Sequence, residues 1–140
     1  FKEKINLHND NKSKNNIFKQ AEIYYVNFWI NIWSEFNLTR PSLIFEKSKF
    51  SFWRKNVIVI PITTYKKNKK YNKFDIKIEK SKNNWLKEDS ILKLLHIKDI
   101  SKVRVKTKLW KLEKKYFNYV SKNVGCNGSE NLLNIVIQNN

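Results

Sequence analysis

Few side chains in this chain can move protons near neutral pH. His8 and His96 are the only two imidazoles among the 140 residues, and an imidazole can act as an acid or as a base because its ordinary pKa is about 6.5. A pair of histidines could therefore catalyse an acid–base reaction. His8 lies in a polar segment, which favours a solvated side chain. The residues around His96 are compatible with an ordinary strand position.

The cysteine and histidine content does not indicate a metal or cofactor site. Cys126 is the only cysteine, so an internal disulfide is excluded, and no Cys/His cluster supplies the three or four ligands of a zinc site. The lone cysteine and the lack of a visible export signal favour a cytoplasmic protein. We therefore expect a metal-free, cofactor-free protein in the cytoplasm.

The charge of the chain indicates its class of partner. Lys and Arg number 29 and Asp and Glu number 12, which gives a formal net charge of +17. Such an excess favours a polyanionic partner, nucleic acid before a membrane surface. The apolar runs reach only about six residues, whereas a membrane-spanning helix needs about 20. We expect no membrane-spanning segment and no membrane partner.

Short β-strands and one helix are expected to position the polar groups. Phe74, Ile76 and Ile78 alternate with polar residues, as in a half-buried strand. The apolar run 57–62 is typical of a central strand, and Pro61 predicts that it ends at a bulge or an edge. Further strands are predicted at 22–28, 41–45, 90–95, 96–100 and 103–109, with a loop at 31–39 and a lysine-rich turn at 65–71.

The last element and its order after the strands predict the fold class. Apolar residues recur at helical spacing over residues 111–122, at Leu112, Tyr116, Phe117 and Val120, which predicts a helix with a core or dimer contact. Short strands closed by one helix favour a mainly β fold, a small antiparallel barrel. We expect a polar N-terminal arm at 1–20, one domain at 21–122 and a tail at 123–140.

Three stretches resemble a known family in their order and spacing. The first runs from Glu22-Ile23-Tyr24-Tyr25-Val26 through Ile32-Trp33-Ser34-Glu35 to Arg40-Pro41-Ser42-Leu43. The second is the apolar strand ending in Ile62-Thr63-Thr64, and the third runs from Leu86 through His96-Ile97 to Arg104. Together they resemble the MazF/PemK-like toxins of type II toxin–antitoxin systems. The resemblance implies an SH3-like barrel, a homodimer and metal-independent cleavage of single-stranded RNA.

The resemblance also implies roles for individual residues. Arg40 matches the family's catalytic arginine, and because its pKa exceeds 12 we assign it chiefly to bidentate stabilisation of the phosphate. Thr63 would bond a phosphate oxygen through its hydroxyl. Glu35 is the candidate base, although a nearby arginine would lower its pKa and weaken it as a base. Without the resemblance, Arg40 reads as a surface arginine paired to Glu35 and Thr63 as a strand-end residue.

RNA-binding residues are expected around these catalytic groups. Ser34 would help to orient the phosphate, and Thr64 follows the catalytic threonine. His96 occupies a position where the family contacts a base, and most members have glutamine there. Lys66 and Lys67 belong to the lysine-rich turn, which is either a solvated loop or a phosphate-attracting surface.

The balance of tryptophan and glycine is unusual. The chain has five tryptophans and only two glycines, whereas an average composition predicts roughly ten glycines. Members of the resembled family commonly have glycine where this chain has Trp29, Trp33, Trp85 and Trp110. An indole cannot enter the backbone conformations that select glycine. We hypothesise that UGA codons meaning glycine were translated as tryptophan. If the tryptophans are genuine, Trp29 and Trp33 could instead stack on bases.

Two further functions remain open at this stage. One is a basic nucleic-acid-binding module of the same fold without catalysis, and the other is an inactive remnant of a toxin. The resemblance favours an active, sequence-selective endoribonuclease that an acidic antitoxin neutralises by covering the basic groove. The RNA motif that it would recognise cannot be predicted, because that motif depends on loops that vary.

Overall fold

The computed structural model describes residues 17–28 and 39–124, without the side chains of Phe50 and Ser51. Seven strands and two α-helices follow one another along these residues. The elements are β1 Glu22–Asn27, β2 Thr39–Ile44, α1 Ser48–Ser51, β3 Asn56–Thr64, β4 Asp75–Ile78, β5 Ser90–Lys93, β6 Lys98–Ser101, β7 Val105–Lys111 and α2 Lys114–Val124. Two 3₁₀ turns, Leu94–His96 and Lys102–Arg104, flank β6.

The strands form one antiparallel sheet in the order β4-β5-β3-β2-β1-β7, and β6 pairs with the first half of β3. The prediction of a mainly β fold with a C-terminal helix is confirmed. Within the described ranges, β4 pairs only with β5 and β7 pairs only with β1. The hydrogen-bonded sheet therefore stays open between these two strands.

The central strand β3 is longer than its apolar run predicts. Its register with β2 ends at the pair Ser42–Pro61, and from Ile62 to Thr64 it pairs with β5. Pro61 thus lies where the pairing with β2 ends on one edge of β3, just before the pairing with β5 begins on the other edge. The predicted strand 57–62 is therefore too short, since β3 continues for two more residues to the candidate threonines.

Alternate residues of β3 serve two apolar clusters. Val57 and Val59 pack in one cluster with Phe18, Val26 and Ile44. Ile60 and Ile62 pack in the larger cluster with Leu112, which precedes α2, and with Val120 and Val124 of α2. Tyr116 and Phe117 of the helix lie against this cluster. The predicted apolar stripe of the helix is therefore a core stripe. Burial of Phe18, which contacts Tyr24 edge-on at 5.0 Å between ring centroids, extends the packed region upstream of residue 21.

The stretch 90–100 differs most from its sequence prediction. β5 stops at Lys93, and the chain turns through Leu94–His96 before β6 begins at Lys98. The amide of Leu94 donates to the carbonyl of Phe74 at 3.2 Å, and the amide of Ile97 donates back to the carbonyl of Leu94 at 3.3 Å. His96 is therefore a turn residue and not the strand residue that the pattern suggested.

The helix α2 begins at Lys114, three residues after the predicted start, because β7 continues to Lys111. Residues 1–16 of the predicted arm, 31–38 of the predicted loop and 125–140 of the predicted tail lie outside the described residues. Thr39, the last residue of the predicted loop, begins β2, and residues 123 and 124 of the predicted tail belong to α2. No helix in the described ranges is long and apolar enough to cross a membrane.

Candidate functional site

A cleft of about 730 Å³ lies between the start of β2 and the end of β3. The β3–β4 loop and the turn after β5 complete its walls. Its lining residues are Thr39, Arg40, Pro41, Pro61, Ile62, Thr63, Thr64, Lys66, Lys69, Lys93 and His96. Five of the residues predicted from the sequence therefore meet in one place.

The register of β2 and β3 explains why Arg40 and Thr63 converge. Ser42 and Pro61 form the last pair of the antiparallel ladder, so Arg40 and Thr63 each lie two residues beyond that pair, at the same end of the ladder. Both residues border the cleft, where Arg40 is exposed and Thr63 is half-buried. A guanidinium and a hydroxyl that line the same cleft provide hydrogen-bond donors for a phosphate group.

The described lining of the cleft is cationic. Arg40, Lys66, Lys69 and Lys93 carry positive charge, and no described lining residue is acidic. Polyanions are attracted to such a surface, and each phosphate neutralised releases counterions. The arrangement suits a phosphodiester backbone.

Two tyrosines stabilise the lysine-rich β3–β4 loop. Tyr65 and Tyr71 stack with their ring centroids 5.5 Å apart. The amide of Lys66 donates to the Tyr71 hydroxyl at 2.8 Å, and Lys77 lies 4.2 Å from the centroid of Tyr65. These contacts close the loop at its base, so that Lys66 and Lys69 line the cleft.

Lys93 is fixed by a buried carboxylate. Its Nζ lies 2.9 Å from Oδ1 of Asp75, the residue opposite it in the β4–β5 register. Burial would raise the pKa of Asp75, but hydrogen bonds from Lys93 and from the Asn72 amide, with the charges of Lys93 and His96, lower it below its usual value. The carboxylate therefore stays charged and holds the ammonium at the cleft.

His96 lies on the turn after β5 and borders the same cleft. Partial desolvation lowers the pKa of its imidazole below the ordinary 6.5, and the positive charges of Lys93, Lys98 and Arg40 lower it further against the opposing charge of Asp75. The ring is therefore neutral at pH 7.

Not every predicted residue reaches the cleft. Lys67 is exposed on the same loop but does not line it. Ser34, Glu35 and His8 lie outside the described residues. Lys93 was missed, although a lysine inside the apolar run Ile91-Leu92-Lys93-Leu94 is a signal that could have found it. No group of three His, Cys, Asp or Glu residues in the described part of the chain is placed to hold a metal ion.

Trp85 has a backbone conformation that is uncommon for an indole-bearing residue. Its φ is +58°, in the left-handed region that favours glycine. Its side chain is 63% exposed and stacks on Trp110 with ring centroids 6.3 Å apart. The buried Asn84 holds this turn by accepting hydrogen bonds from the amides of Ser81 and Leu86. Trp29 and Trp33 lie outside the described residues.

Solved structures show where else this fold occurs. MazF from Deinococcus radiodurans superposes with a TM-score of 0.60 at 14% identity, covering 76% of this chain and 92% of that one. The Mycobacterium tuberculosis toxin MazF-mt6 gives 0.57 at 17% identity over 72% and 89% of the two chains. A mycobacterial endoribonuclease in complex with its cognate antitoxin gives 0.58 at 12% identity over 74% and 87%. These likenesses show a shared fold.

The sequence identifies the family through a family model. A separate search of curated proteins finds no match. Residues 19–125, well over half of the chain, match the family model described as PemK-like, MazF-like toxin of type II toxin–antitoxin system. The matched range contains every residue that lines the cleft. This chain therefore belongs to the PemK-like, MazF-like toxins of type II toxin–antitoxin systems.

Proposed function

We propose that this chain is a toxin endoribonuclease that cleaves single-stranded RNA in the cleft between β2 and β3. The observation that carries the proposal is the convergence of Arg40 and Thr63 in a cationic cleft within a chain of this family. The structural neighbours include a protein described as an endoribonuclease. Four cations along one cleft suit a phosphodiester substrate better than a small neutral one.

The proposed reaction uses the 2′-hydroxyl of the RNA as its nucleophile. A base removes the hydroxyl proton, the 2′-oxygen attacks phosphorus, and the bond to the 5′-oxygen breaks. Arg40 stabilises the negative charge that develops on the phosphate oxygens, with Thr63 as a second donor. Ser34 and Thr64 would orient the phosphate, and Glu35 is a candidate base. None of these steps requires a metal ion.

The proposal extends to the assembly of the protein. We expect an SH3-like barrel, a homodimer and neutralisation by an acidic antitoxin. Two observations support an antitoxin as the partner of this chain. The cationic cleft complements the charge of an acidic segment. Structural neighbours have been solved with their antitoxins. We also expect sequence selectivity, with Lys66 and Lys67 contributing general attraction to RNA, and a cytoplasmic location.

The direct test is cleavage of a long unstructured transcript in the presence of EDTA. We expect fragments with 5′-hydroxyl ends and 2′,3′-cyclic or 3′-phosphate ends, and no cleavage of duplex RNA. The Arg40→Ala variant, purified in parallel, controls for contaminating nucleases. Loss of cleavage with the chelator, or 5′-phosphate products, would contradict the mechanism. Binding without cleavage would favour the non-catalytic module.

We also propose that Trp29, Trp33, Trp85 and Trp110 represent glycines encoded by UGA. The left-handed backbone of Trp85 supports this at one of the four positions. UGA codons in the gene and glycine-bearing peptides from the native host are the expected findings. UGG codons or indole-bearing peptides would contradict the idea.

Stability offers an independent check at Trp85. Trp85→Gly should raise the free energy of unfolding by about 1 kcal/mol, since a non-glycine residue in the left-handed region costs roughly 1–2 kcal/mol. Trp53→Gly is the matched control, because Trp53 is 87% exposed and lacks a positive φ. That substitution should lower the free energy of unfolding slightly, since glycine adds entropy to the unfolded chain. Urea denaturation of both variants measures the difference.

A further inference from the structure

His96 has a property that the other described cleft residues lack. The lining contains one arginine, three lysines and three threonines beside prolines and an isoleucine. Arginine and lysine stay protonated at neutral pH, and a threonine hydroxyl does not titrate there. Among the described lining residues, only the imidazole can accept a proton near pH 7.

The charges around His96 favour its neutral form. Lys93 and Lys98 flank it along the chain, and Arg40 faces it from β2. Asp75 is the one acidic group acting on it, and Lys93 already pairs with that carboxylate. Lys66 and Lys69 border the same cleft. The imidazole is therefore unprotonated when RNA arrives, which is the state that a general base needs.

We propose that His96 is the general base that activates the 2′-hydroxyl in the cleft that it shares with Arg40 and Thr63. This inference rests on the proposed function. The unprotonated ring nitrogen takes the 2′-hydroxyl proton while the 2′-oxygen forms its bond to phosphorus. The bond between phosphorus and the 5′-oxygen breaks, and the 5′-oxygen takes a proton from a water molecule in the open cleft. The imidazolium then returns its proton to solvent.

This assignment differs from one based on Glu35. A carboxylate beside Arg40 would have a lowered pKa and would be a weaker base, whereas an imidazole has a pKa closer to the working pH. A glutamine at position 96 could donate and accept hydrogen bonds but could not take up the proton. The histidine of this chain therefore supplies a proton acceptor that an amide side chain could not.

The pH dependence of kcat/KM tests the proposal, because it reports the groups of the free enzyme. For the parent protein we expect kcat/KM to rise with pH through a pKa below 6.5 and to level off before pH 7. In His96→Gln, which keeps hydrogen-bonding capacity, this rise should disappear and the single-turnover rate should fall about 10²–10⁴-fold. RNA affinity should change only a few-fold. His8→Gln, which removes the other imidazole, should leave the rate and the profile unchanged.

Chemical rescue separates proton transfer from a structural role. Added imidazole should restore part of the rate to His96→Ala but none to Arg40→Ala. Circular dichroism should show a folded protein, since the His96 side chain is exposed. In Glu35→Gln the acidic limb of the profile should persist.

The outcomes are distinguishable. A His96→Gln variant that cleaves at the parental rate with the parental profile would overturn the role of His96 and leave the proposed function standing. If the rise of kcat/KM with pH disappears in Glu35→Gln but persists in His96→Gln, the role of His96 is also overturned. Glu35 would then be the general base. A parent protein that binds RNA and never cleaves it would overturn both.

Discussion

Arg40 is the residue that best distinguishes the proposed endoribonuclease from a protein that only binds RNA. It is one cation among many in a chain of net charge +17, so its share of general attraction to RNA is small. It lies at the start of β2 and shares the lining of the cleft with Thr63. A planar fork of donors matches a phosphate in two bonds, which an ammonium cannot reproduce.

We predict that Arg40→Ala lowers the single-turnover cleavage rate by about 10²–10³-fold, as loss of other preorganised charge-stabilising donors does. RNA affinity should fall only a few-fold, because one phosphate contact changes the logarithmic salt dependence by about 0.7 for single strands. Rapid-quench cleavage and fluorescence binding measure the two effects.

Arg40→Lys and Arg104→Ala are the controls. The lysine variant keeps the charge and should bind normally but cleave slowly. Arg104 does not line the cleft, and its removal should leave cleavage intact. If Arg40→Ala cleaves like its parent, Arg40 is only a surface residue.

Two contacts support the walls of the cleft. The β4–β5 pair carries the Asp75–Lys93 ion pair, and the β3–β4 loop is closed by the Tyr65–Tyr71 stack. A third contact holds the other end of the sheet, where Arg54 donates to both carboxylate oxygens of Asp99 at 2.8 and 2.9 Å. Two ion pairs and one ring stack thus connect the elements whose backbones carry the site.

We predict that Asp75→Asn lowers the free energy of unfolding at pH 7 by about 1.5–3 kcal/mol, the range for hydrogen bonds to charged groups. The Asp75 side chain is only 5% exposed, so solvent screening is weak. Because the pKa of Asp75 is lower in the folded state, its stabilisation is present above its unfolded pKa of about 3.9 and is lost as pH falls through the folded value.

Denaturant titrations at pH 7 and at pH 3 measure this effect. The gap between parent and variant should narrow at the lower pH, and Lys93→Met should show partial non-additivity with Asp75→Asn. An unchanged gap at both values would mean that the carboxylate charge contributes nothing to stability.

At the scale of the whole molecule, charge and fold act together. The excess of positive charge extends over the chain, but the sheet gathers four cations around one cleft and keeps the two apolar clusters behind it. Under the proposed function, general attraction would bring RNA to the surface, and the cleft would then order its phosphates.

We predict that RNA affinity falls steeply with salt and that Lys66→Ala/Lys69→Ala reduces the logarithmic slope by about 1.4, or roughly 0.7 for each phosphate contact. The control pair is Lys80→Ala/Lys122→Ala. Both of these lysines are exposed and neither lines the cleft, so the slope should stay near that of the parent. Equal slopes for the two double variants would place RNA elsewhere on the surface.

Local patterns in the sequence were sufficient for the elements and for part of the site. Phe74, Ile76 and Ile78 alternate with polar residues and pack on one side, against the core. This alternation is sufficient to predict a strand. The spacing of Leu112 and Val120 does the same for the helix. The resemblance placed Arg40 and Thr63, which the structure brings to one cleft, although their catalytic roles stay a prediction.

Long-range contacts decided the rest. The apolar run indicated a strand over 57–62, yet β3 continues to Thr64 because Ile62, Thr63 and Thr64 pair with β5. His96 looked like a strand residue, yet the amide of Leu94 bonds to Phe74, twenty positions away in sequence, and turns the chain. Periodicity records only which side chains are buried, whereas the partner of each backbone group depends on register. For that reason only the tertiary structure could place Lys93 in the same cleft as Arg40 and could show that His96 reaches it from a turn.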